Sequence, residues 1–126
     1  MSEKTGCACD TAPKLIFPCS GASDVGEIAD RTGRYLTAGG AGKMYCLAGI
    51  GGRVSGIVES TKAAAKILAI DGCPQDCAKK TLEHAGFDVF EHLRVTDLGL
   101  KKGKSPVTDE NVNEVAEKAK NLLACS

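Results

Sequence analysis

The sequence has no tryptophan, two tyrosines and three phenylalanines in 126 residues. That scarcity argues against base-stacking surfaces and against an aromatic cage around a ligand, and it leaves a core built from Ala, Val, Ile and Leu. Net charge is also missing: 16 basic residues balance 16 acidic ones. A balanced chain has no basic field for non-specific nucleic-acid binding, and no acidic tail is present. No window approaches the roughly 20 apolar residues of a membrane span, and the N-terminal residues carry no apolar segment of signal-peptide length. The expectation is a cytoplasmic protein that engages neither nucleic acid nor membrane. The length suits one domain with one core. Two residue types are plentiful instead, with 15 glycines and seven cysteines. An odd number of cysteines rules out a closed set of intramolecular disulfides. In a reducing compartment, clustered cysteines more often mean metal or redox chemistry than staples.

The apolar runs and their punctuation predict an alternating architecture. Residues 1–13 read as a mobile polar arm that carries Cys7 and Cys9, and residues 14–126 as a single α/β domain. Leu15-Ile16-Phe17-Pro18 is a first strand, and a helix starts near Ser23 and Asp24 and closes at Gly39-Gly40. Lys43 to Ala48 reads as a second strand, followed by a glycine turn at Gly49–Gly52 and a helix from Val54 to about Lys66. Ile67–Ile70 is a third strand and Pro74–Ala85 a third helix. Asp88–Val95 alternates Val89, Phe90, Leu93 and Val95, as an edge strand does. Thr108-Asp109-Glu110 caps a last helix that carries Val112, Val115, Ala116, Ala119, Leu122 and Leu123 on one side. Four strand–helix alternations predict a three-layer α/β sandwich with a mainly parallel four-stranded sheet. The order 2-1-3-4 is Rossmann-like or flavodoxin-like and puts a switch point between strands 1 and 3.

In that arrangement three cysteines fall near the carboxyl ends of strands, where open α/β sheets bind ligands. Cys73 follows the run Lys66–Ile70 directly, and Cys77 comes four residues later, one turn into the next helix. Cys19 ends the first strand. Cys46 lies three residues before its glycine turn. Zn²⁺ takes four soft or borderline ligands, and sulfur binds at ~2.3 Å. The predicted metal ligands are therefore Cys19, Cys46, Cys73 and Cys77. The packing alternative is that Cys46 is a small buried hydrophobe. A second reading uses the same thiols for redox chemistry, with Cys73 or Cys19 attacking and Cys77 or the Cys7/Cys9 arm resolving. A third uses the amides of the Gly49–Gly52 and Cys19–Gly21 turns to bind a small anion. Cysteine-phosphatase chemistry is excluded, because the position six residues after Cys19 is Val25 rather than arginine. His84 and His92 read as solvated or structural residues far from the cysteine rim, and Cys125 as incidental.

The stretches Phe17–Asp30, Cys46–Gly52 and Ile70–Pro74 together resemble the DGC-domain family, named for Asp-Gly-Cys, here Asp71-Gly72-Cys73. Val95–Gly99 and Lys101–Gly103 extend the resemblance, which runs from about Lys14 to Lys102. It implies zinc binding through four cysteines, which fall on Cys19, Cys46, Cys73 and Cys77. It implies no particular biochemical role.

Overall fold

A computed structural model describes residues 12–124. The elements run β1 (Lys14–Pro18), α1 (Asp24–Ala38), β2 (Lys43–Met44), α2 (Leu47–Gly51), α3 (Ser55–Lys62), β3 (Lys66–Asp71), α4 (Cys77–His84), β4 (Glu91–Arg94), a 3₁₀ turn at Val95–Leu98, and α5 (Asp109–Leu123). The sheet has the order β2-β1-β3-β4, and all three pairings are parallel. The expected order and strand direction are both present.

Alternation along the central strands builds two cores, one on each face of the sheet. Ile16 of β1 with Leu68 and Ile70 of β3 meets Val25, Ile28, Ala29 and Leu36 of α1 and Val112, Val115, Ala116 and Ala119 of α5. Leu15 and Phe17 of β1 with Ile67 and Ala69 of β3 meet Ile50 of α2 and Ala78 and Leu82 of α4. Both central strands are thus buried on both faces, which is why they read as unbroken apolar runs. The two long helices start where their caps dictate. Ser23 Oγ accepts from Gly26 N at 3.2 Å, and Thr108 Oγ1 accepts from Asn111 N at 3.2 Å, each satisfying an amide that the first turn leaves unpaired.

Several boundaries differ from the sequence reading. The second strand stops at Met44. Cys46 then takes the N-cap position of α2, and Leu47 and Ile50, three apart, turn toward the same core. The stretch read as a glycine turn is therefore largely helical. The next helix ends at Lys62 rather than Lys66, because Ala65 N donates to Pro13 O at 2.8 Å and the chain has already joined the sheet. The third helix begins at Cys77, not Pro74. Asp76 sits at φ 56°, ψ 45°, a left-handed conformation that no helix interior adopts. Cys77 is accordingly the first helical residue rather than one turn in. The fourth strand shortens to Glu91–Arg94, and Val89, read as part of it, is 83% exposed.

Candidate functional site: a thiol-lined cavity at the switch point

The β3–α4 junction is built around Asp71, which is 1% exposed at the end of β3. Its Oδ1 accepts from Ala78 N at 2.7 Å, and its Oδ2 accepts from Lys79 N at 3.1 Å and lies 2.9 Å from His92 Nε2. A carboxylate only accepts, so Nε2 carries the proton of that last bond. Asp71 thus caps α4 from six residues before its start, and the helix dipole favours the charge there. Beside it, Asp76 accepts two hydrogen bonds from Arg94, from Nε at 2.9 Å and from Nη2 at 2.7 Å. The Arg94 guanidinium holds the Asp76 carboxyl below its usual range, and the pairing raises Arg94 in turn. Strand register makes this possible: Arg94 pairs with Asp71, and His92 with Ala69. His92 is therefore in direct contact with the rim. The expectation that His92 lies far from the rim is corrected by the register of β4, which the apolar residues of that strand do not by themselves reveal.

Gly72 lets this junction lie against the first turn of α1. A Cβ at Gly72 would sit 2.7 Å from the Val25 carbonyl carbon and 2.8 Å from Gly26 N, and one at Gly26 would sit 2.7 Å from Gly21 C. Backbone is packed on backbone at both positions, so no side chain fits.

A cavity of about 520 Å³ opens where β1 and β3 diverge. Cys19, Cys73 and Cys77 all line it, together with the Gly21–Ser23 turn, Gly72, Gln75 and Lys102. Cys19 N donates to Ile70 O at 2.9 Å, which fixes the end of β1 against β3. Burial pushes the Cys19 thiol up, backbone hydrogen bonds from Gly21 and Gly72 pull it partly back, and Asp71 and Cys77 add to the rise. Lys102 Nζ lies 3.8 Å from Cys73 Sγ. Its loop is tied down by Asp24, whose carboxylate accepts from Gly103 N at 2.9 Å and Ser105 N at 3.0 Å. Cys46 lies on an adjoining cavity of about 470 Å³, and Cys19 lines both.

The four thiols are free, and no three of their sulfurs lie within 4.8 Å of one another. They line a rim without being gathered round a common point. Among the described residues, the one group of potential ligands that close together is Asp71, Asp76 and His92. Its oxygens are already committed to the α4 amides, His92 and Arg94, so the group acts as a clamp on the junction. The helix starts beside the cavity are likewise engaged. Asp71 takes two of the α4 N-terminal amides, while Asp24 Oδ1 takes Val25 N at 2.8 Å and Ser23 takes Gly26 N. Gly49 and Gly51 lie inside α2, with Ile57 packed where a Cβ of Gly49 would be.

The DGC domain matches residues 15–119 of this chain. The chain belongs to the DGC-domain family. Over 88 residues it is 36% identical to the anaerobic and virulence modulator AnvM of Pseudomonas aeruginosa, which covers 70% of this chain and 67% of AnvM. No solved structure matches it. In this DGC domain the three residues of the signature have three distinct tasks. Asp71 caps α4, Gly72 admits the backbone of α1, and Cys73 presents its thiol to the cavity. The cysteines were legible in sequence. Of the residues that hold them in place, Asp24 reads from sequence as a helix-start acid, His92 as solvated or structural and Lys102 as part of the family resemblance, whereas Asp76 and Arg94 carry no assignment there. A usable signal was present: His92 and Arg94 stand two apart in a strand, so both face one side of it. No described helix is long and apolar enough to cross a membrane. Cys7, Cys9 and Cys125 lie outside the described residues.

Proposed function

We propose that the chain binds zinc, with the thiolates of Cys19, Cys73 and Cys77 as ligands and one coordination position left open. The observation that supports this is that three thiols, two following strand ends and one at the start of α4, line one cavity whose carboxylates are otherwise engaged. The donor set is soft, as zinc and similar ions require. Zinc–sulfur bonds of ~2.3 Å hold ligand sulfurs within ~4 Å of one another, so the thiols must turn inward as they coordinate. Three thiolates around a divalent ion carry one net negative charge. Lys102 and the amides of Gly21 and Gly72 stand where they offset it. Coordination requires thiolates, so binding releases protons and affinity falls as the medium becomes more acidic; the burial that raises Cys19 moves that fall to higher pH. With an open position the bound ion supplies Lewis acidity or is handed to another ligand. Among the described residues Cys46, on the neighbouring cavity, is the remaining thiol for a fourth bond if the Cys46 turn moves inward.

The deciding experiment is metal analysis of protein purified without added zinc, with thiols counted before and after chelation. One zinc per chain is expected in the wild type, in Cys125→Ser and in Cys46→Ser. Cys73→Ser should lose it, because a serine hydroxyl stays protonated near neutral pH and binds zinc poorly. Equal zinc in Cys73→Ser and wild type removes the reading, and loss in Cys46→Ser makes the site a closed four-thiolate one.

Thiol redox chemistry is the second reading. It is favoured by the free, dispersed sulfurs and by Cys77 being exposed only four residues from Cys73. A native Cys73–Cys77 bond found by mass spectrometry in freshly lysed cells would establish it over the first. The name of AnvM, an anaerobic modulator, fits a thiol site of either kind.

A further inference from the structure

The surroundings of the three cavity thiols differ enough to rank them. Cys19 packs against both cores, and burial, with the Asp71 carboxylate adding to it, pushes its thiol up. Cys77 is exposed at the first position of α4. Cys73 is half-buried, and Lys102 Nζ stands 3.8 Å from its sulfur. Lys102 is the one cation among the described residues that line the cavity, and that sulfur is the one polar partner those residues give it. Two carboxylates stand on the same wall, but Asp71 is held by the α4 amides and His92, and Asp76 by Arg94. The loop that carries Lys102 is anchored at both Gly103 and Ser105 by Asp24, and Ser105 Oγ accepts from Lys101 N at 2.7 Å. The lysine is thus fixed on a thiol rather than on an acid. An ammonium gives a thiolate a charge-assisted hydrogen bond, and the thiolate is the nucleophilic form of cysteine.

Resting on the thiol-redox reading above, we propose that in the zinc-free chain Cys73 is the attacking thiol, a small hydroperoxide is its substrate, and Lys102 is the proton donor to the departing oxygen. The Cys73 thiolate attacks one oxygen of the peroxide. A sulfur–oxygen bond forms and the O–O bond breaks. Sulfur is oxidised to a sulfenic acid, and the peroxide is reduced to water or an alcohol. The departing hydroxide or alkoxide takes its proton from the Lys102 ammonium, which regains one from solvent. That proton is what selects the substrate. Hydroxide leaves poorly unless it is protonated, so a donor beside the attacked sulfur serves peroxide cleavage, whereas a disulfide releases a thiolate that needs no proton. The cavity, about 520 Å³, has room for a hydroperoxide between the two side chains and solvent.

The test compares two reactions of the reduced, chelator-treated full chain, each mapped by mass spectrometry. Iodoacetamide reports the thiolate alone, because iodide leaves without a proton. Hydrogen peroxide, with dimedone present to trap the sulfenic acid, requires the thiolate and the donor together. In the wild type Cys73 should be the first thiol oxidised. Lys102→Met should slow alkylation of Cys73 modestly, and should slow its oxidation by roughly tenfold or more beyond that. Lys102→Arg should restore alkylation, since the charge is kept, but not oxidation, since a guanidinium does not give up its proton. Lys102 is exposed, so these variants should fold, and their melting curves verify it. First oxidation at Cys77 or Cys19, equal or no slowing of the two reactions in Lys102→Met, or full oxidation in Lys102→Arg overturns the proposal while leaving the redox reading to the Cys73–Cys77 bond. Thiols that all resist peroxide, together with no Cys73–Cys77 bond in freshly lysed cells, overturn both.

Discussion

Replacing Asp71 by alanine should be the most damaging change of a single polar side chain in this molecule. The carboxylate is 1% exposed and accepts from two backbone amides of α4 and from His92. Hydrogen bonds to charged groups are worth ~1.5–3 kcal/mol, and a buried amide left unpaired costs ~1–3 kcal/mol. The Ala78 amide is buried and has no other acceptor given to it, while the Lys79 amide and His92 are half-buried and regain some water contact. The net cost is about 3–5 kcal/mol. A domain of this size has a total stability of about 5–15 kcal/mol, so roughly a fifth or more is at stake. For 126 residues the unfolding entropy near 60 °C is about 265 cal/mol/K. Each kcal/mol then shifts Tm by roughly 4 °C, and Asp71→Ala should lower it by roughly 11–19 °C. Thermal melts followed by far-UV circular dichroism read this directly. Glu27→Ala is the reference: Glu27 pairs with Arg31 across an exposed face of α1, with side chains 48% and 56% exposed, and should cost under about 1 kcal/mol. A loss of 4 °C or less in Asp71→Ala would mean that α4 is held by its apolar face alone, and the account of the junction given above would be wrong.

Three further outcomes follow from the same geometry. Gly72→Ala places a methyl group against the backbone of Val25 and Gly26, and should cost ~1–3 kcal/mol or more in urea unfolding, since neither partner is a movable side chain; an unchanged midpoint would contradict the close approach. Asp76 has its pKa lowered by Arg94, so the stability it contributes is complete above the unfolded value of about 3.9 and is lost as pH falls through the lower folded value. Asp76→Asn should accordingly flatten the acid limb of the stability profile, and an identical limb in wild type and variant would remove Asp76 from it. Asp24→Asn weakens the acceptor for Gly103 N and Ser105 N and should speed amide exchange at those two positions; unaltered exchange would show that the loop is held by other contacts.

The sequence conveyed the sheet and its order because both depend on repeated local patterns. Four strand–turn–helix alternations, read with the right-handed crossover rule, leave few arrangements, and Leu15–Phe17 and Ile67–Ile70 are apolar on both faces because the sheet is covered on both. The capped helices were equally plain, since Ser23 and Thr108 act on amides three residues away. Legibility failed where a long-range contact overrode a local preference. Pro74 is a sound first helical residue on local grounds, yet α4 begins at Cys77, because Asp71 reaches the amides of Ala78 and Lys79 and Asp76 turns left-handed to meet Arg94 from 18 residues away. This shift of the helix start bears on the chemistry. It places Cys77 at the first helical position, on the wall of the cavity that Cys73 also lines. Reading single cysteines at strand ends was enough to find the rim. Finding what holds the rim in place required the charged residues of the edge strand, His92 and Arg94, to be matched with the acids of the junction. The Asp-Gly-Cys signature states one side of that pairing, and nothing local to it states the other.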